Sequence, residues 1–288
     1  MPACNKPRRA TPKDSDLLSD NGGMADQRHF RQYVAEADAR LRCYGNSRHG
    51  NKENPLDELI YIILSAQTES YSYQVTYDAL AQAFPGWAGI TSASEDDVAT
   101  VIRRGGLAHK KARQIVGTLR KIEDDFGQLS LNTLRGWSDD EAEHYLISLP
   151  GIGVKSAKCI LMYALDRAVF PVDTHVWKVC RRLGITPAVP KPTPAQEKNL
   201  EAIIAPHIRY TLHVNLVSHG QETCLTYWPK CNICALSDLC PNAFKQDHVW
   251  GAWRKPKGTW AKAVQDLDVS AKETTPPATH IQGLPTDA

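Results

Sequence analysis

Residues 138–174 read SDDEAEHYLISLPGIGVKSAKCILMYALDRAVFPVDT. Ser138 followed three residues later by Glu141 has the form of a capping box, in which each residue's side chain satisfies the other's free backbone N–H, so a helix is expected to open here. Leu149-Pro150-Gly151-Ile152-Gly153 then forces a tight turn, and from Val154 the pattern is helical again. The stretch predicts a helix–hairpin–helix. Gly151 and Gly153, beside the N-terminus of the second helix, leave backbone N–H groups exposed with the positive end of the helix dipole behind them. That geometry can hold a phosphate oxygen. A proline–glycine turn also joins helices for purely structural reasons.

Lys155 falls in the first turn of the second helix. The helix dipole and Lys158 one turn on both disfavour a cation there, which predicts a bias toward the neutral amine. An ordinary lysine, at about 10.4, is almost wholly protonated at neutral pH and is not nucleophilic. Farther on, Asp173 in Val172-Asp173-Thr174-His175 follows Pro171 at an expected helix N-cap, where backbone donors keep its carboxylate ionised. An amine beside a fixed carboxylate can attack a sugar C1′ while the negative charge stabilises an oxocarbenium-like transition state. A phosphate-binding lysine and a simple capping aspartate are the alternative reading.

Near the C-terminus, Cys224, Cys231, Cys234 and Cys240 are spaced C-x6-C-x2-C-x5-C. Four thiolates this close, with a single C-x2-C knuckle, suit a compact multi-iron cage better than a zinc site, which more often pairs two short knuckles. A Cys4 zinc site and unrelated buried cysteines remain alternatives on spacing alone.

The chain has 288 residues, 42% of them hydrophobic, enough for one large domain or two smaller ones. No apolar run is long enough to span a bilayer, and the opening MPACNKPRRATPKDSDLLSDNGG lacks the apolar stretch of a secretory signal. An intracellular protein with no membrane partner is expected, with Cys4, Cys43, Cys159 and Cys180 reduced. Net charge is only +2, but basic residues gather at Arg103, Arg104, Lys110, Lys111 and Arg113, at Lys155 and Lys158, and at Lys178, Arg181 and Arg182. Their separation from acidic blocks such as Glu95-Asp96-Asp97 would permit one positive face for a polyanion; solvated helix faces are the plainer alternative.

Almost the whole chain reads as helix. Asn54-Pro55 is an N-cap with proline at the first helical position, ahead of the apolar run Leu59–Leu64 of a central buried helix. Further helices are predicted near 74–84, 95–104, 108–125, 138–148, 154–166, 174–183, 194–205 and 209–219.

Taken together and in order, LSAQT at 64–68, GGLAHKKA at 105–112, LPGIGVKSA at 149–157, VDTHV at 172–176, HG at 219–220 and the cysteine array resemble the endonuclease III family of helix–hairpin–helix DNA glycosylases. The resemblance covers about residues 29–242. It implies an all-α, two-domain fold: a six-helix barrel over 48–168 carrying the hairpin, and an iron–sulfur cluster domain formed by 29–47 and 169–245. Residues 1–28 and the extension 246–288, with Trp250, Trp253 and Trp260, are expected to be largely disordered.

By position, Lys155 resembles the family's Schiff-base lysine and Asp173 its catalytic aspartate. Gln67 resembles the residue that fills the gap left by a flipped nucleotide, Leu107 the wedge in the opposite strand, and Gly151 and Gly153 the DNA-binding hairpin. The four cysteines would ligate a structural [4Fe–4S] cluster, shaping a loop whose Lys230 faces DNA phosphate.

The implied function is a monomeric, bifunctional glycosylase and AP lyase of base excision repair. It would act, in the cytoplasm or nucleoid, on duplex DNA containing damaged or abasic nucleotides, with oxidised pyrimidines as substrate class. A monofunctional mismatch glycosylase using Asp173-activated water, and a non-catalytic iron–sulfur DNA-binding protein, are the alternatives. The chain departs from the bacterial archetype in its longer tails and its proline-rich segment Thr186–Gln196.

Overall fold

The computed structural model describes residues 22–68, 70–187 and 189–244. Among them the regular structure is entirely helical, in ten α-helices: α1 (Gly22–Leu41), α2 (Pro55–Ser65), α3 (Ser70–Ala83), α4 (Glu95–Val101), α5 (Ala108–Phe126), α6 (Asp139–Ser148), α7 (Val154–Ala164), α8 (Thr174–Arg182), α9 (Pro194–Ile203) and α10 (Arg209–Glu222). None is long and apolar enough to cross a membrane.

Local chemistry accounts for where several helices begin. Asn54 caps α2, its side-chain oxygen accepting from the Leu56 and Asp57 N–H groups at 2.9 and 3.3 Å. Ser138 and Glu141 form the expected capping box on α6, and Ser94–Asp97 and Thr193–Gln196 form the same device on α4 and α9. The run Leu59–Leu64 is wholly buried, as the sequence predicts, because α2 packs against α3, α5 and α7.

The buried apolar residues fall into two clusters. One joins α2–α7 over Leu56–Val169 and takes in Val214 of α10; the other joins α1 to the chain from Phe170 to Leu236. Both ends of the 138–174 stretch therefore help to build a core, and the chain passes from one cluster to the other between Val169 and Phe170.

Three features differ from the sequence reading. α4 stops at Val101 rather than 104, because the chain tightens into a turn over Arg103–Gly105. A Cβ on Gly105 would stand 2.8 Å from Thr76 Oγ1, so this turn needs glycine to lie against α3. α1 begins at Gly22, which makes residues 22–28 helical rather than part of a disordered tail. The remaining tail, and the extension with Trp250, Trp253 and Trp260, lie outside the described residues. Third, Cys159 and Cys180 are free, but Cys43 is disulfide-bonded, against the expectation that it stays reduced.

The basic clusters do not form one positive face. Lys111, Lys158, Lys178, Arg181 and Arg182 are all buried. Lys178 donates to the Gly220 carbonyl at 2.8 Å, and Arg182 to the carbonyls of Cys224, Leu225 and Thr226 at 3.2, 2.6 and 3.0 Å. These cations tie backbone together where the helices leave carbonyls without partners. Arg103, Arg104 and Lys110, around Leu107, remain exposed.

Candidate active site

A cleft of about 720 Å³ opens between the loop after α2, the first turn of α7, the segment Val172–His175 and α10. Its size is that of a small-molecule site. Lys155, Asp173 and Gln67 all line it, with Cys159 and His213.

Asp173 is the N-cap of α8, as its sequence context predicts: Oδ1 accepts from the Val176 N–H at 2.7 Å. The second carboxylate oxygen is left for the cleft. The segment leading to it is held by His213, whose Nδ1–H donates to the Pro171 carbonyl at 2.9 Å. Burial lowers the pKa of His213 to about 4, opposed by Asp173, so the ring is neutral at pH 7 and the carbonyl partner fixes its proton on Nδ1. His213 belongs to no motif in the sequence; only the fold brings it here.

Close packing of α8 on α10 depends on Gly220. A Cβ there would stand 2.8 Å from His175 Cβ and 3.3 Å from its Cα, a backbone atom that cannot swing aside. Gly220→Ala is therefore expected to destabilise the protein by about 1–3 kcal/mol. Thermal unfolding checks this; an unchanged midpoint would mean the two helices are free to separate.

The ionisation of Lys155 is opposite to the sequence expectation. Its pKa is raised: the Cys159 sulfur one turn on is the largest influence, burial opposes it, and Asp173 and then Glu58 add to the rise. Burial pushes the Cys159 thiol itself up to about 11 and the Glu58 carboxyl up to about 8, so neither carries much charge at neutral pH. Asp173 is the carboxylate that shares the cleft with Lys155, and its influence on the lysine ranks below those of Cys159 and burial. Lys158 does not press on Lys155 as expected, because its ammonium is in contact with Glu201 of α9. Glu58 is fully buried; Oε2 accepts from the Lys52 N–H at 2.6 Å and Oε1 has no partner.

Gln67 lies beyond the end of α2, on an exposed loop. Leu107 is not in the cleft. It precedes α5 and is 49% exposed. Both residues sit in the left-handed region, with φ of 54° and 52°. That is uncommon for residues other than glycine, and such strain gathers at ligand clamps and active sites.

In the hairpin, Gly151 has φ 79° and touches α5: a Cβ would stand 2.1 Å from Gln114 Nε2. Gly153 is the N-cap of α7 and has no side chain to cap it; a Cβ there would meet nothing within 4 Å. The absence of a side chain at Gly153 answers no packing need and leaves the first N–H groups of α7 open to solvent.

Cys224, Cys231, Cys234 and Cys240 are free thiols held in the loops after α10. Among the described residues no three metal-binding side chains stand together as a ready-made metal site. The donor set nonetheless fits an iron–sulfur cluster. All four side chains offer sulfur, Arg182 donates to Cys224 Sγ at 3.0 Å, and the Leu236 N–H donates to Cys234 Sγ at 3.4 Å. Hydrogen bonds of this kind stabilise sulfur ligands in their charged form.

The family HhH-GPD, the superfamily of base excision DNA repair proteins, matches residues 60–205. Endonuclease III of Escherichia coli (strain K12) is 30% identical over 198 residues, 68% of this chain and 88% of that protein. The DNA glycosylase/AP lyase ROS1 of Arabidopsis thaliana is 31% identical over 170 residues, 54% of this chain and only 12% of that much longer protein. The solved structure of a trapped endonuclease III–DNA covalent intermediate superposes with TM-score 0.64 and 25% identity, covering 80% of this chain and 99% of that one. An all-α chain with this hairpin and cleft is thus of the helix–hairpin–helix repair class. The chain belongs to the HhH-GPD superfamily of base excision DNA glycosylases and, within it, to the endonuclease III family.

Proposed function

We propose that the protein is a bifunctional DNA glycosylase and AP lyase that removes oxidised pyrimidines from duplex DNA and nicks the abasic strand. The observation that carries this reading is the presence of Lys155 and Asp173 in one cleft of nucleotide size, with Gln67 at its wall. The covalent intermediate of the structural relative is in keeping with it.

The target nucleotide leaves the stack to reach the cleft. Asp173, whose second oxygen is free, takes the proton from the Lys155 ammonium. The neutral amine attacks C1′, and the C1′–N bond breaks with its electron pair going to the departing base, which takes up the proton held by Asp173. Nitrogen donates into C1′, the C1′–O4′ bond opens, and an imine results. Loss of a C2′ proton then expels the 3′ phosphate. Because Lys155 starts as a cation, Asp173 first accepts its proton and, once that proton has passed to the departing base, stabilises positive charge on the sugar as a carboxylate.

Gln67 fills the vacancy and Leu107 wedges the opposite strand, while Gly151, Gly153 and the open N–H groups of α7 bind phosphate. Leu107→Ala and Gln67→Ala are expected to weaken binding to lesion duplex by about tenfold and to undamaged duplex by less than about twofold, since backbone contacts dominate the latter. Paired titrations decide it: equal losses on both duplexes would remove the wedge-and-plug roles.

The two apolar clusters support a division into a six-helix barrel over 48–168, the span of α2–α7, and a second domain from 29–47 and 169–245. Within the second, Cys224, Cys231, Cys234 and Cys240 would hold a [4Fe–4S] cluster whose chemistry is structural, fixing the loop that carries exposed Lys230. Protein purified anaerobically is expected to be yellow-brown with about four irons per chain. Colourless protein with stoichiometric zinc would assign the array to zinc instead. The chain would act as a monomer, one cleft on one lesion. A panel of duplexes with defined lesions, scored for base release and for nicking, tests the function as a whole; nicking without preference for any oxidised pyrimidine would overturn the substrate class.

A further inference from the structure

Lys111 is among the most deeply buried side chains of the protein, 2% exposed, on the inner face of α5. Its ammonium meets no carboxylate. Nζ donates to the Leu64 carbonyl at 2.7 Å, to Thr68 Oγ1 at 2.5 Å and to the Gly105 carbonyl at 3.0 Å. An ammonium has three hydrogens, and each has an acceptor. Thr68 Oγ1 in turn donates to the same Gly105 carbonyl at 2.7 Å, closing a triangle of contacts. Two of the three acceptors flank Gln67, Leu64 in the last turn of α2 and Thr68 in the loop after it; the third lies two residues before Leu107. The backbone N–H of Lys111 also donates to the Leu107 carbonyl, at 2.9 Å.

A cation in this place is costly. Burial lowers the pKa of Lys111 to about 8, and no countercharge offsets it. An apolar side chain of similar volume would avoid that cost but would leave the Leu64 and Gly105 carbonyls without this donor. What a lysine supplies, and an apolar residue cannot, is a three-pronged tie between two loops distant in sequence. Those loops need it: Gln67 and Leu107 both hold left-handed backbone, which persists only where the surroundings over-determine it.

We propose that Lys111 is a positioning residue for nucleotide extrusion, fixing the spacing of the Gln67 and Leu107 loops so that both enter the duplex together. This rests on the plug and wedge roles proposed above. Misplacement of a group by about 1 Å can lower a rate about 10²-fold, so releasing the tie weakens extrusion even with Gln67, Leu107, Lys155 and Asp173 unchanged.

The test compares wild type, Lys111→Met and Thr68→Val on two probes. The first is a duplex containing a tetrahydrofuran abasic analogue beside 2-aminopurine, whose fluorescence reports unstacking without any chemistry. The second is a single-stranded oligonucleotide with a natural abasic site, where borohydride trapping needs Lys155 but no extrusion. Lys111→Met is expected to unstack the duplex probe at least about tenfold more slowly than wild type and to trap on the single strand within about twofold. Thr68→Val, which removes one acceptor and leaves the ammonium in place, is expected to fall between.

Unstacking by Lys111→Met at the wild-type rate overturns the proposal. So does an equal loss on both probes, which would make Lys111 a support of the fold as a whole, and so does a wild type that unstacks nothing. Should Lys111→Met fail to fold, Thr68→Val decides by the same criteria. A wild type that unstacks the duplex but does not trap on the single strand would remove the Lys155 chemistry while leaving the comparison of unstacking rates to decide Lys111.

Discussion

Lys155→Gln is expected to lower strand cleavage at an abasic site by at least about 10³-fold, the scale on which removal of a covalent nucleophile acts. Duplex affinity is expected to stay within about threefold, since at most one of many phosphate contacts is lost. A lysine that only binds phosphate would give the opposite pattern: weaker binding, a shallower salt dependence, and cleavage that recovers at saturating protein. The side chain lines the cleft with Asp173. Gel-shift titration at two salt concentrations, together with single-turnover nicking, separates the two patterns.

Asp173→Asn should slow base release by about 10²–10³-fold, or about 2.7–4 kcal/mol, as loss of one fixed electrostatic group in a closed site does. The fold should hold, because asparagine caps a helix as well as aspartate does and can keep the bond to the Val176 N–H. The pH profile gives a further sign. Asp173 raises the pKa of Lys155, so removing its charge lowers that pKa and makes the neutral amine available at lower pH. The rising limb of the nicking rate against pH is therefore expected to move to lower pH in the variant. On a preformed abasic site, where no glycosidic bond has to break, the loss should be smaller than for base release. Equal losses on both substrates, with the rising limb unmoved, would leave Asp173 as a cap alone.

Much of this fold was legible wherever the cause is local. Asn54, Ser138 with Glu141, and Asp173 each sit within three residues of the N–H groups they satisfy, so their caps could be read directly. Leu59–Leu64 announced a buried helix because no polar face interrupts it. The cleft was legible only through the ordered motifs, since periodicity alone does not bring Gln67, Lys155 and Asp173 to one place.

What the sequence hid depends on partners far along the chain. Lys178 and Arg182 read as members of a positive face, but their acceptors are backbone carbonyls more than forty residues away, at Gly220 and Cys224–Thr226. Lys111 is a basic residue in a basic run until the carbonyl of Leu64 is placed beside it. The charge of Lys155 is hidden only in part for this reason. Its largest influence, the Cys159 sulfur one turn on, is local, whereas the contact of Lys158 with Glu201 and the approach of Asp173 are products of packing.

The central claim is that an amine of this chain becomes bonded to C1′, and borohydride reduction during turnover tests it most directly, because only an imine at that carbon is reducible to a stable link. Wild-type protein reduced while acting on a lesion duplex is expected to give a covalent protein–DNA adduct, and digestion followed by mass spectrometry is expected to place the sugar remnant on the peptide containing Lys155. Base release without any trapped adduct, undiminished in Lys155→Gln, would contradict the account and assign the chemistry to water directed by Asp173.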